Sequence, residues 1–292
     1  MLRVKLFCDW DDDPFSMLVK FRHLTDGFSE DFKYKNIQFV YDESYDFTVV
    51  FNFPVMPFNT PPERSIALIL EPPEILDVFY GHVRSIPFDN VCKIYSFADD
   101  KWETAYGIGF STVPNINYLE LTEKPLNACM IASNKRLTPF HNRRHEILDA
   151  LINSGLNIDF YGRGMGTGSD PRIKGEIAPM RKYEILNQYR FCIDFENSPF
   201  NAVTDKFFDP VQCNTVPITN AKILKSILPN GGFEYIDFDW SLNEIVNRIH
   251  DIINQMDLTS YVEPLNIAKN EVRSGNMNIV EWIYRKVNEL NV

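Results

Sequence analysis

The stretch from Tyr189 to Asn220 constrains this chain most, because it spells out one complete strand–helix–strand unit. Residues 191–195 form a nearly apolar run that reads as a buried strand and stops at the polar cluster Glu196-Asn197-Ser198. A short loop follows, and Thr204 then supplies an N-cap, with Asp205 in the first turn of a helix. A second strand, residues 216–219, comes next. This order calls for parallel strands joined by a right-handed crossover. Lys206 is out of keeping with it, since a cation in the first turn opposes the helix macrodipole by roughly 0.3–1 kcal/mol. An anion at that place removes the conflict: free backbone N–H groups and an ammonium, just past a strand's carboxyl end, make a phosphate cradle. A lysine simply solvated at the helix end is the other reading of the local sequence.

The same alternation runs through the rest of the chain. Strand-like runs occupy residues 4–8, 47–53, 65–70, 92–97, 128–133, 158–161, 191–195, 216–219 and 235–238. Helical patterns cover residues 143–153, closed by Gly155, and 180–189. Another covers 242–256, where Ser241 and Glu244 make a capping box above the stripe Leu242, Ile245, Ile249, Ile252, Ile253 and Met256. A new series begins around residues 118–126. The spacing therefore predicts an α/β domain over residues 1–125 and a second over 126–292, with the last helix, near 279–290, packing back on the first. Two Rossmann-like domains facing a cleft is the GT-B architecture, with ligands at the carboxyl ends of strands.

Composition narrows the function classes. A chain of 292 residues, 45% hydrophobic and 14% aromatic, has enough apolar material for two cores. Its net charge of −11 argues against a nucleic-acid partner, which needs a surface rich in Lys and Arg. The longest apolar runs have strand length, so no membrane span is expected. The first residues enter a strand pattern without the apolar core of a signal peptide. Five scattered cysteines (Cys8, Cys92, Cys129, Cys192, Cys213) without a CxxC pair suggest a reducing compartment, and no Asn-x-Ser/Thr site occurs. A soluble, cytoplasmic protein is the expectation.

Several elements in this order resemble glycosyltransferase family 10, the α-1,3/1,4-fucosyltransferases. Phe195-Glu196-Asn197-Ser198 repeats that family's Phe-Glu-Asn-Ser without change. Thr204-Asp205-Lys206 is similar to its Thr-Glu-Lys, and Val216-Pro217-Ile218 to its Val-Pro-Val. Phe233 to Asp239 resembles its Ser-Phe-Ile-Asp-x-x-Asp-Phe stretch. Ser133-Asn134 with Arg144, and Ile158-Asp159-Phe160-Tyr161-Gly162, resemble two further elements. The likeness covers roughly residues 128–240. In the first domain it is reduced to Glu71-Pro72-Pro73-Glu74, similar to Glu-Ser-Pro.

The resemblance implies an inverting transferase that uses a nucleotide-sugar donor as substrate, requires no cofactor or metal, and acts on a hydroxyl of a glycan acceptor. Charge developing on the diphosphate leaving group must then be met by fixed cations. Arg144 and Lys206 are the candidates, Arg144 as a two-pronged donor, with Arg143 as its rival. Asn197, Asp205, Tyr161 and Gly162 are the other donor-side candidates. Each also has an ordinary use: turn capping for Asn197, a helix N-terminal acid for Asp205, a common glycine turn at Gly162. Glu71, held extended by Pro72, is the candidate general base, and Glu74 is the second choice.

Two further features bear on chemistry. The first strand runs into Asp9-Trp10-Asp11-Asp12-Asp13, which resembles the metal-binding Asp-x-Asp of GT-A enzymes. Only one strand precedes it, so it reads as an acceptor-side acidic loop in which Asp11 touches hydroxyls and Trp10 stacks on a sugar. His141 and His145 flank the two arginines without a third ligand and read as solvated. Ala202 and Asp205 stand where the family has Tyr and Glu, so the donor is GDP-fucose by resemblance, with a UDP-sugar such as UDP-xylose as alternative. A non-catalytic glycan-binding protein on the same fold is the alternative from another class. A transferase without a membrane anchor differs from Golgi members of the family, which suggests a microbial or viral host.

Overall fold

A computed structural model describes residues 1–8, 14–52, 58–72, 75, 91, 93–97, 103–166, 169–178, 181–198, 202–255 and 257–291. Trp10, Asp11 and the rest of the 9–13 loop lie outside the described residues, as does Glu74. The chain divides into two compact units. The first is Met1–Phe110 with Phe200–Ala202 and Glu271–Val292, and the second is Ser111–Pro199 with Val203–Asn270.

The first unit contains β1 (Leu2–Cys8), α1 (Pro14–Leu24), β2 (Lys33–Tyr34), β3 (Ile37–Val40), β4 (Phe47–Phe51), β5 (Ser65–Ile69), β6 (Lys93–Ser96) and β7 (Glu103–Thr104). Among the described residues these strands make one sheet in the order β2-β3-β1-β4-β5-β6-β7. Every pairing in it is parallel except β2 with β3. The central strands β4 and β5 are buried at every position, as expected of a parallel sheet covered on both faces.

The second unit contains β8 (Leu126–Ile131), α2 (Pro139–Ser154), β9 (Ile158–Tyr161), β10 (Ile173–Gly175), α3 (Lys182–Leu186), β11 (Tyr189–Ile193), α4 (Asp205–Gln212), β12 (Val216–Thr219), α5 (Leu224–Ile227), β13 (Glu234–Tyr235), α6 (Leu242–Ile253) and most of α7 (Thr259–Arg273). Its sheet, in the order β10-β9-β8-β11-β12-β13, is parallel throughout. It begins at Ser111 because the segment leading to β8 is tied into this unit. Ser111 Oγ and Thr112 Oγ1 donate to Asp209 at 2.8 and 2.6 Å, and Tyr118 packs in the core with Cys129, Cys192 and Cys213. The chain ends with α8 (Ile279–Leu290), capped by Asn278, whose Oδ1 accepts from the N–H groups of Val280 and Glu281. Ile279, Val280, Trp282, Ile283 and Val287 of α8 lie in the same core cluster as Leu6, Phe39 and Val49 of the first sheet.

Local signals set several boundaries. Gly155 adopts φ 73°, the left-handed conformation that closes α2, and the Ser241–Glu244 capping box is present at α6. β11 starts at Tyr189, two residues ahead of the apolar run, and its pairing continues past Ile193, where Asp194 N–H bonds the Ile218 carbonyl at 3.2 Å. Pro264 sits inside α7, a place where proline normally interrupts a helix. Cys8, Cys129, Cys192 and Cys213 are buried and form no disulfide.

Candidate active site

The candidate residues of the second unit meet where β11 gives way to α4. Thr204 caps α4: its Oγ1 accepts from the Lys206 backbone N–H at 3.4 Å and from Lys206 Nζ at 3.2 Å. The same residue is held from the other side by Glu196. Thr204 N–H donates to Glu196 Oε1 at 2.8 Å, and Thr204 Oγ1 lies 2.8 Å from Glu196 Oε2. Glu196 N–H is in turn fixed by Asn220 Oδ1 at 2.7 Å, so the loops after β11 and β12 are joined. The Lys206 ammonium completes the corner by pairing with Asp205 Oδ1 at 3.1 Å.

Lys206 is therefore neither loosely solvated nor alone. Only 15% of its side chain is exposed. Burial opposes its charge, but the carboxylates of Asp205, Glu196 and Asp194 outweigh it and raise its pKa, so it stays a cation. Asp205 is the open edge of the cluster, with 36% of its side chain exposed. Burial would raise its pKa; Lys182 and Lys206 reverse the sign and hold it below the usual carboxylate range.

Lys182 and Asp209 belong to this cluster and do not stand out in the sequence. Lys182 Nζ lies 3.0 Å from Asp205 Oδ2, 3.0 Å from Asp209 Oδ2 and 3.5 Å from Asp194 Oδ2. Burial opposes its charge too, yet the three carboxylates drive its pKa well up. Asp205 and Asp209 are four apart on α4, so one face of that helix is acidic, and Lys182 neutralises it. That i,i+4 acidic pair was the available sequence signal. Burial pushes Asp194 up to about 6 and Glu196 up to about 7, in each case against the pull of neighbouring lysines.

Arg144 reaches the same strand end from α2. It is 2% exposed; Nη1 donates to Asn197 Oδ1 at 2.7 Å and Nη2 to the Ser133 carbonyl and Oγ at 3.2 Å each. Its buried Nε has no partner. Arg143 is used differently, donating to the Phe238 and Trp240 carbonyls and pairing with Glu146. Of the two arginines, Arg144 is the one that meets Asn197.

Other candidates are placed differently. The Tyr161 hydroxyl lies 2.9 Å from that of Tyr189, which donates to Asp159 Oδ2 at 2.6 Å, so this side chain serves the core of the sheet. Gly162 has a structural reason to be glycine: a Cβ there would collide with the Ala132 carbonyl at the neighbouring strand end. His141 and His145 are buried at 1% and 8% exposure, not solvated as their polar setting suggested. His141 Nδ1 lies 2.8 Å from Thr138 Oγ1, and His145 Nε2 lies 3.2 Å from the Lys135 carbonyl. In the first unit, Glu71 follows β5, where Asn52 Oδ1 accepts from the N–H groups of Leu70 and Glu71 at 2.8 and 3.2 Å. Its residue is exposed, not buried. Among the described residues no group of three or more His, Cys, Asp or Glu is arranged to hold a metal, and no helix is long and apolar enough to cross a membrane.

Two parallel α/β units with charged side chains gathered at a strand end define a fold class, and solved structures share it. An α1,3-fucosyltransferase structure covers 100% of this chain and 90% of its own at TM-score 0.56 and 16% identity. An α-glucosyltransferase in complex with UDP and DNA covers 100% and 99% at TM-score 0.60 and 9% identity. The fold is GT-B.

Within it, residues 121–265 match the family model described as glycosyltransferase family 10 (fucosyltransferase) C-term, and over that segment the chain is fucosyltransferase-like. An alpha-(1,3)-fucosyltransferase, fut-5 of Caenorhabditis elegans, is 31% identical over 150 residues, 49% of this chain. The match spans 38% of that relative's length. Asn197, Asp205, Lys206 and Arg144 all lie inside the matched segment.

Proposed function

We propose that the protein is an inverting glycosyltransferase that moves fucose from GDP-fucose to a hydroxyl of a glycan acceptor. The reading is carried by one observation: Lys206 and Arg144 converge on the carboxyl end of β11 within the segment that matches the family. Lys206 presents a cation at the start of α4, the positive end of the helix dipole, where an anion is favoured. Arg144 keeps donors beyond those used on Asn197 and Ser133. Together they would stabilise charge on the departing diphosphate. Asp205 and Asn197 would accept and donate hydrogen bonds to donor hydroxyls, while Tyr161 and Gly162 contribute the backbone of the β9 end. Glu71 would take the proton of the acceptor hydroxyl as it attacks the anomeric carbon, with Glu74 its substitute. The displacement breaks the bond from the anomeric carbon to the phosphate oxygen and releases GDP.

A UDP-sugar donor is the second reading. Ala202 and Asp205 stand where the family has Tyr and Glu, and one structural neighbour was solved with UDP. Diphosphate contacts do not see the sugar, so the mechanism is unchanged. A thermal-shift series over GDP-fucose, GDP-mannose, UDP-xylose, UDP-galactose and UDP-glucose separates the two. A ligand at 100 times its Kd adds about 2.7 kcal/mol of stability. Stabilisation by GDP-fucose alone supports the first reading and by a UDP-sugar alone the second; no response to any of them contradicts both. Reducing conditions suit the scattered cysteines, and the cytoplasm is the compartment proposed.

A further inference from the structure

His141 stands one turn before Arg144 on α2 and is held by a short chain of hydrogen bonds. Thr138 Oγ1 lies 2.8 Å from the Asn197 carbonyl, which can only accept, so the hydroxyl proton points there. The lone pairs of Thr138 Oγ1 then accept from the His141 backbone N–H at 3.2 Å and from His141 Nδ1 at 2.8 Å. Nδ1 must carry the ring proton. Nε2 is left with a bare lone pair, buried and without a partner, on a residue that is 1% exposed. Burial, and then the charges of Arg144, Lys206, Lys135 and His145, push its pKa down to about 4, so the ring is neutral near pH 7. A buried acceptor without a donor costs free energy comparable to a lost hydrogen bond unless something supplies the donor.

From this tautomer we infer that His141 is a further binding residue of the site, whose Nε2 accepts a hydrogen bond from a hydroxyl group of the bound nucleotide sugar. The inference rests on the site being a nucleotide-sugar site. An ionised diphosphate offers acceptors only and cannot satisfy a lone pair, which leaves Lys206 and Arg144 to the phosphates. A ribose hydroxyl or a hydroxyl of the transferred sugar has the right chemistry, and both are present in one donor molecule. His141 would thus report on the sugar hydroxyls while its neighbours report on charge.

Two measurements test it, both on the whole protein. Nitrogen NMR of 15N-histidine-labelled wild type should show His141 with Nδ1 protonated and Nε2 bare, and the Nε2 signal should move on adding GDP or GDP-fucose. Calorimetry then compares wild type, His141→Phe and His141→Gln, the last restoring an acceptor near the Nε2 position. The Phe variant should bind about 3–10-fold more weakly and the Gln variant should recover part of the loss. If the ribose is the source, 2′-deoxy-GDP or 3′-deoxy-GDP binds wild type more weakly than GDP, and that difference vanishes in His141→Phe. If the sugar is the source, the variant binds GDP normally and GDP-fucose weakly. Wild type that binds these ligands with an unmoved Nε2 signal, and a Phe variant with unchanged affinities, overturns the inference and leaves the site reading standing. Wild type that binds none of them overturns the site reading, and the inference with it. Should His141→Phe fail to fold, the wild-type Nε2 signal decides alone.

Discussion

Lys182 Nζ lies 3.0 Å from Oδ2 of Asp209, a carboxylate with no solvent exposure. Asp209 also accepts from Ser111 Oγ, Thr112 N–H and Thr112 Oγ1 at 2.8, 2.6 and 2.6 Å. One buried ion pair thus fixes α3 to α4 and ties down the start of the second unit. It also sets the position of Asp205 and Lys206 one turn earlier on α4.

Removing the lysine leaves buried carboxylates without their cation, a change that typically costs about 3–5 kcal/mol. Lys182→Met should lower the urea midpoint accordingly with an unchanged slope, measured by circular dichroism. A loss below about 1 kcal/mol would show that the pair does not hold the corner.

The backbone at Gly162 makes a second, independent demand. Alanine there would press its Cβ into the Ala132 carbonyl, so Gly162→Ala should cost about 1–3 kcal/mol by overpacking. Wild-type stability in that variant would refute this close approach of the two strand ends.

Glu196 gives a pH signature. Its folded pKa, about 7, lies above its ordinary value of 4.5, because burial favours the protonated form. The folded state then binds more protons than the unfolded chain between those values. The stability contributed by Glu196 is full below about pH 4.5 and is lost as pH rises through 7. Relative to Glu196→Gln, the wild type should lose up to about 1.4 kcal/mol per pH unit across this window. Asp194, pushed up to about 6, acts in the same direction, whereas Asp205, held low, contributes stability that is lost only at acid pH. Urea melts of both proteins at pH 5, 6 and 7 check the difference; parallel curves would refute it.

Glu71 should matter to turnover and not to donor binding. Glu71→Gln is expected to reduce transfer by about 10²–10⁴-fold while nucleotide affinity stays within about twofold. Full activity in this variant would exclude Glu71 as the base, and Glu74→Gln would then be the next substitution to assay.

Much of this was legible in the residues themselves. The β11–α4 unit, the Thr204 cap and the Gly155 stop follow from local chemistry that tertiary packing does not override. The alternation of short apolar runs with helical patterns was enough for a parallel α/β fold. Lys206 showed as a charge in conflict with a helix end, and the structure resolves part of that conflict with Asp205. Lys182 was not legible, because its meaning comes from a contact between separate helices, and a lysine beside Tyr183 and Glu184 looks like any surface residue; Asp209 showed only as an acid four residues after Asp205. His141 was misread for a related reason: polar neighbours in sequence do not reveal that the fold buries its ring.

Whether Lys206 meets a diphosphate is decided by calorimetric titration of GDP into wild type and Lys206→Ala. Wild type should bind GDP saturably. In the variant, losing a charge-assisted contact worth about 1.5–3 kcal/mol weakens binding roughly 10–150-fold, with the melting transition still cooperative. Equal GDP affinity in the two proteins would contradict it.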